Sequence, residues 1–202
     1  RRLARPPRPL VVHGAAAPAG LVAASSKARA AAPRVPDGAL MERGRLAGRV
    51  AQLTAAFRQR YTEQDHDLSR LLPGAADCLA ALVRQGIRSA VCSNKPTPNC
   101  LQVLEELGIA HHFEAIQGSG DGLPLKPDPA PLNAIIDRLG VRAEATLYVG
   151  DSETDIATAR GAAVPVAIVR GGYSAAPADA MAADWTIDSL ADVTALWKSA
   201  AR

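Results

Sequence analysis

The stretch Leu147-Tyr148-Val149-Gly150-Asp151-Ser152-Glu153-Thr154-Asp155 constrains the fold of this chain more than any other. A short apolar run ends in a glycine, and two carboxylates follow four positions apart. A run of this kind reads as a strand buried on both faces of a parallel sheet. Gly150 lets the chain turn sharply at the end of the strand. Asp151 is then expected at the carboxyl edge of the sheet, where open α/β folds bind ligands. Asp155 is expected in the first turn of the next helix, where a carboxylate suits the helix dipole. Two carboxylates converging on one crevice repel each other unless a cation lies between them. Mg²⁺ fits that place, because it takes oxygen ligands and works with phosphates. A turn aspartate followed by a helix-capping aspartate has the same spacing and stays open as a reading.

The pattern around this stretch repeats. Ala75 to Arg84 carries an apolar stripe at helical spacing, Leu79, Leu82 and Val83, and Gly86 stops it. Ile87 to Cys92 reads as a strand, followed by Ser93-Asn94-Lys95-Pro96. Thr97 is placed to cap a helix with Pro98 at its first position, running to Leu107. Phe113 to Gln117 reads as a strand, Pro131 to Leu139 as a helix and Thr146 to Val149 as the strand above. Asp155 to Ala162 reads as a helix and Val164 to Val169 as a strand. Trp185 to Ile187 reads as a last strand, and Ser189 caps a last helix. Strands alternating with helices over this length predict an α/β fold, a Rossmann-like three-layer parallel sheet with helices on both faces. Hydrophobic residues make up 48% of the chain but aromatics only 3%, so its core must be built from Ala, Val and Leu.

Residues 1–45 break the pattern. They are rich in Arg, Ala and Pro, with Asp37 and Glu42 as their acidic residues, and show no helical or alternating period. Leu10-Val11-Val12 is the one strand-like run. A disordered tail, a transit peptide and a mistranslated region all remain open as readings. Leu46, Val50, Leu53 and Phe57 then recur at helical spacing, so residues 46–69 form a separate segment with one amphipathic helix, and 70–202 the α/β core.

The net charge of +3 comes largely from the N-terminal arginines, so no nucleic-acid surface is expected. No apolar run is long enough to span a membrane as a helix. Cys78, Cys92 and Cys100 lack metal-ligand spacing and read as thiols in a reducing compartment. The expected location is the cytoplasm, with organelle import left open. His66, His111 and His112 read as loop or helix-end residues, and Cys92 as a packing residue on a buried strand.

Three of the predicted segments end in groups suited to phosphate chemistry. The hydroxyl of Ser93 and the backbone amides at Ser93-Asn94 can donate to phosphate oxygens. Lys126, in the stiff run Leu125-Lys126-Pro127-Asp128-Pro129, supplies a positive charge. Asp151 and Asp155 are the candidate metal ligands. Phosphoryl transfer needs mainly positioning and charge stabilisation, which this set supplies.

Val91-Cys92-Ser93-Asn94-Lys95-Pro96, Lys126-Pro127-Asp128-Pro129 and Val149-Gly150-Asp151-Ser152-Glu153-Thr154-Asp155 together resemble the second, third and fourth motifs of the haloacid dehalogenase-like hydrolases, and within them the phosphoglycolate phosphatase group. The resemblance implies a Mg²⁺-dependent phosphatase acting on a small phosphate monoester such as 2-phosphoglycolate. It implies Ser93 as the phosphoryl-binding hydroxyl, Lys126 as the cation that steadies nucleophile and phosphate, and Asp151 with Asp155 at the metal. It also implies that residues 46–69 are the remnant of a helical cap.

One motif of that family is missing. The family's first strand ends in Asp-x-Asp-Gly-Thr, whose first Asp is the nucleophile and becomes an aspartyl phosphate. Here Leu10-Val11-Val12 imitates the strand, but His13-Gly14-Ala15 follows; Asp37-Gly38 lacks both the strand and the partner Asp. Covalent catalysis of this kind cannot proceed without the nucleophile. The family places that strand mid-sheet, so Leu10 to Val12 is the candidate to occupy its slot. A non-catalytic module that binds phosphate, Mg²⁺ or a protein partner stands as the alternative function. The sequence does not specify an oligomeric state.

Overall fold

The computed structural model describes residues 10–15, 22–24, 49, 52–53, 69–171 and 177–200. By contacts the chain divides into two compact units: Arg1–Ala24 together with Ser69–Arg202, and Ser25–Leu68. In the second unit, the described residues Arg49, Gln52 and Leu53 are helical and exposed. The remaining expectations for that segment, including the stripe residues Leu46, Val50 and Phe57, and also His66 and Asp37-Gly38, lie outside the described residues.

The first unit is built on a six-stranded sheet. Its strands are β1 (Leu10–Ala15), β4 (Arg88–Pro96), β5 (Ala115–Ser119), β6 (Thr146–Gly150), β7 (Val166–Val169) and β8 (Trp185–Ile187). Their order is β5-β4-β1-β6-β7-β8, and every neighbouring pair is parallel. Two short strands, β2 (Val22–Ala24) and β3 (Ser69–Leu71), pair antiparallel at the two chain positions that flank the second unit. The helices are α1 (Ala75–Arg84), α2 (Thr97–Glu106), α3 (Ala130–Leu139), α4 (Glu153–Gly161) and α5 (Val193–Ala200).

Two apolar clusters make the layers. On one face of the sheet, Val11, Val91, Leu147 and Ala167 pack with Leu79 and Leu82 of α1, Val103 and Leu104 of α2, and Val193 of α5. On the other face, Leu10, Val12, Ala90 and Tyr148 pack with Leu132, Ile135 and Ile136 of α3 and Ala159 of α4. Successive residues of β1, β4 and β6 thus feed opposite clusters, as strand geometry requires. Trp185 and Trp197 pack partly buried against the first cluster.

The elements read from the sequence between Ala75 and the last helix are present, with shifts at their ends. The strand expected to stop at Cys92 continues through Ser93-Asn94-Lys95 to Pro96. Helix α2 starts at Thr97 instead of being capped by it. The Thr97 hydroxyl instead donates to Asp121 at 2.8 Å and accepts from the Gly118 amide at 3.0 Å, tying the following loop to the start of α2. Gly118 permits this approach: a Cβ there would stand 2.5 Å from the Lys95 carbonyl oxygen and from the Thr97 nitrogen. The Ser189 side chain does act as a cap, accepting from Ala191 N–H at 3.2 Å.

Leu10–Ala15 contains the run expected as the candidate for the slot between β4 and β6, and it occupies that slot as the central strand of the core. It groups with the core unit and not with a separate segment ending at residue 45. It pairs with β4 from Leu10 opposite Arg88 to Ala15 opposite Ser93, and with β6 from Leu10 opposite Thr146 to His13 opposite Val149. Leu10, Val11 and Val12 are fully buried. Three apolar residues hold this slot because a neighbouring strand on each side satisfies the backbone groups that would otherwise be buried unpaired.

Candidate functional site

Parallel strands in one sheet bring their carboxyl ends to the same edge, so β4, β1 and β6 deliver Ser93, Ala15 and Gly150-Asp151 side by side. The ladder sets their level: Ala15 is opposite Ser93, and the register of His13 with Val149, carried forward, brings Ala15 level with Asp151. Ser93, Asp151, Asp155 and Lys126 are all buried.

Asp155 organises the edge. Its Oδ1 accepts from Lys126 Nζ at 2.7 Å and from the Tyr148 hydroxyl at 3.1 Å. Its Oδ2 accepts from the Ser152 hydroxyl at 2.7 Å and from the Asp151 amide at 3.1 Å. Gly150 makes room for this arrangement, since a Cβ there would lie 2.4 Å from Asp155 Cβ and 2.8 Å from Oδ2. Burial alone would raise the pKa of the Asp155 carboxyl. The Lys126 charge and hydrogen bond, with those of Asp151 N–H and Ser152, outweigh burial and hold it below the usual value. Burial and the neighbouring Asp155 charge push the Tyr148 phenol well above its ordinary value, so it stays a neutral hydroxyl.

Lys126 is held at two places. Its ammonium donates to Asp155 and, at 3.2 Å, to the Tyr148 hydroxyl. Its backbone is gripped by the Asn94 side chain: the Lys126 amide donates to Asn94 Oδ1 at 2.8 Å, and Asn94 Nδ2 donates to the Lys126 carbonyl at 3.0 Å. The Ser93 hydroxyl oxygen accepts from Lys95 N–H at 3.0 Å. Cys92 lies beside Lys126 and Tyr148 without nucleophilic character, since burial pushes its thiol up to about 11.

The structure therefore gathers all five residues singled out from the sequence at one sheet edge, and refines two of them. The Asn94 side-chain amide is engaged by the Lys126 backbone, so the phosphate expectation for Asn94 rests on its backbone amide. Both Asp155 oxygens are occupied by four protein donors, so a direct metal bond from Asp155 would have to displace one of them. Asp151 remains as the buried carboxylate with the chemistry of a Mg²⁺ ligand. Among the described residues, no three His, Cys, Asp or Glu side chains cluster to hold a metal. One carboxylate suffices where phosphate oxygens and water complete the octahedron. The donor set thus fits a Mg²⁺ that is shared with a phosphate ligand.

Two residues at this edge escaped the sequence reading. Tyr148 looked like one more core residue of its strand; its hydroxyl is visible as a site group only once Lys126 is brought beside it. His13 lies opposite Val91 on the central strand, one pair short of Cys92 and two short of Ser93. It is fully buried, with its ring edge-on to Phe113 at 5.8 Å and neither nitrogen hydrogen-bonded. Burial lowers its pKa from 6.5 to about 4. His111 and His112 form an exposed to half-buried turn, as expected of loop residues.

Among known proteins, the family model described as haloacid dehalogenase-like hydrolase matches residues 37–169. The phosphoglycolate phosphatase of Rhodospirillum rubrum is 41% identical over 139 residues, which cover 69% of this chain and 58% of that protein. The plasmid-encoded phosphoglycolate phosphatase of Cupriavidus necator is 37% identical over 161 residues, covering 78% of this chain and 69% of that protein. A haloacid dehalogenase-like hydrolase of Streptococcus pneumoniae shares the fold over 94% of this chain and 98% of its own, with a TM-score of 0.70 at 14% identity. The chain spans 58% of the length of the Rhodospirillum enzyme, and the matched family segment begins after β1. With its parallel sheet and the Ser93, Lys126 and Asp151 edge, this chain belongs to the haloacid dehalogenase-like hydrolase family, in its phosphoglycolate phosphatase-like group.

Proposed function

We propose that this sheet edge binds the phosphoryl group of a small phosphate monoester, with 2-phosphoglycolate as the first candidate, as a Mg²⁺-dependent phosphatase site by descent. The observation that carries the reading is the buried Lys126–Asp155 pair at the same edge as Ser93 and Asp151. A buried ammonium whose carboxylate partner is itself saturated with donors is arranged for a further anion. The Ser93 hydroxyl, whose oxygen accepts from Lys95 N–H, is the group at this edge suited to bind a phosphoryl oxygen. Asp155 holds the Lys126 ammonium in place and fixes the backbone of Asp151. Asp151 would hold Mg²⁺, which offsets negative charge on phosphate oxygens. The named relatives support 2-phosphoglycolate as the ester to test first.

The central strand favours a second reading, binding without turnover. Its last three residues are His13, Gly14 and Ala15, and none offers a carboxylate level with Ser93. Phosphate release from 2-phosphoglycolate with Mg²⁺ separates the two. Release that disappears in Asp151→Asn establishes hydrolysis. Saturable binding of 2-phosphoglycolate without release, lost in Lys126→Ala, establishes the binding module. Neither binding nor release sinks both.

A further inference from the structure

The Lys126 ammonium has three hydrogens, and two are spent: one on Asp155 Oδ1 and one on the Tyr148 hydroxyl. The Tyr148 hydroxyl passes its own hydrogen to the same Asp155 oxygen. Lys126, Tyr148 and Asp155 thus close a three-membered ring of hydrogen bonds, which sets the rotation of the ammonium as well as its position. The other end of the residue is fixed by Asn94. Lys126 follows Leu125 in a segment outside the sheet and precedes Pro127, so no strand pairs with its backbone. The Asn94 amide supplies both halves of such a pairing, one acceptor and one donor, from the end of β4.

An unrestrained lysine carries rotamer entropy that it loses on gripping a ligand. Here the side chain is ordered and fully buried before any ligand arrives. Among the described residues no third acceptor meets the ammonium, and leaving a buried charged donor unsatisfied is costly.

We propose that Tyr148 and Asn94 are positioning residues for Lys126: with Asp155 they fix its head and its backbone so that one ammonium hydrogen is kept for the phosphoryl group. Neither side chain touches the ligand in this role. The proposal rests on the phosphate reading of Lys126 given above, and deepens it.

The test uses the full chain and inorganic phosphate as the probe. Calorimetry gives the affinity, and the ¹H–¹⁵N signal of the Lys126 ammonium, visible because it is buried and hydrogen-bonded, reports its restraint. Tyr148→Phe removes only the hydroxyl; Asn94→Ala removes the backbone grip. Each is expected to weaken phosphate binding about tenfold, the worth of one charge-assisted hydrogen bond. Tyr148→Phe is also expected to broaden or remove the ammonium signal while the folded spectrum persists, and it carries the test if Asn94→Ala does not fold. An unchanged ammonium signal together with phosphate affinity within twofold of wild type in Tyr148→Phe overturns the positioning role. Lys126→Ala then separates the failures. If it abolishes binding while Tyr148→Phe does not weaken it, only the positioning role falls. If wild type and Lys126→Ala are alike towards phosphate, the phosphate reading falls and the proposal with it.

Discussion

Replacing His13 by Leu should make the protein less sensitive to acid without weakening it at neutral pH. The imidazole lies in the centre of the sheet with both nitrogens unpartnered, and its pKa is lowered from 6.5 to about 4 by burial. Above 6.5 neither the folded nor the unfolded chain protonates this residue, so it contributes nothing to pH dependence. Between 6.5 and 4 the unfolded chain takes up a proton that the folded chain refuses, so stability falls as pH falls; below 4 the loss levels off. The full loss is about 3 kcal/mol, from ~1.4 kcal/mol per pH unit across that window, and about 2 kcal/mol of it develops between pH 7.5 and 5. Other titrating groups act equally in wild type and variant, so the difference between them isolates this residue. Leu also removes two unsatisfied polar atoms, and a gain of about 1–3 kcal/mol at pH 7.5 is expected, less the lost ring contact with Phe113. Urea denaturation followed by tryptophan fluorescence suits the assay, because Trp185 and Trp197 both pack on the core cluster. Parallel stability–pH curves for wild type and His13→Leu would refute the reasoning, since they would mean that His13 is solvated or hydrogen-bonded in the folded state.

Gly150→Ala places a methyl 2.4 Å from Asp155 Cβ, so the carboxylate must leave Lys126; a stability loss of about 3 kcal/mol or more, with loss of phosphate binding, is expected by denaturation and calorimetry. Ser189→Ala deletes the acceptor of the Ala191 amide and should lower stability by about 1 kcal/mol while phosphate affinity stays unchanged. Ala15→Asp puts a carboxylate level with Ser93. With Mg²⁺ it is expected to release p-nitrophenol from p-nitrophenyl phosphate, whose leaving group needs no proton donor, faster than wild type does; equal rates in the two would show that Ala15 is not level with the nucleophile's place.

Much of this site was readable along the chain. Ser93, Lys126 and Asp151 each follow an apolar segment or sit in a proline-stiffened loop, and local chemistry of that kind leaves a linear trace. The division of labour between Asp151 and Asp155 left none. Their spacing suggests a matched pair of ligands, but the helix that begins at Glu153 turns Asp155 back under the strand end, where four donors occupy it. Asn94 reads as part of a phosphate loop, yet its amide is taken by a backbone 32 positions further on.

By itself, the sequence determined the alternation of strands and helices and the two-faced burial of β6, because these follow from side-chain periodicity within a few residues; Gly150 ends that strand, and its need for glycine comes from the close approach of Asp155. The family resemblance made Leu10 to Val12 a candidate for the central slot, but only the tertiary structure decided that Leu10–Ala15 fills it. Three apolar residues in a stretch of Arg, Ala and Pro have no local reason to be ordered; they become the centre of the sheet because β4 and β6 each present an edge that must be paired. The tertiary structure likewise put Tyr148 on Lys126, a contact between residues 22 positions apart. Long-range pairing of this sort depends on which surfaces meet after the chain has folded, and no window of neighbouring residues records it.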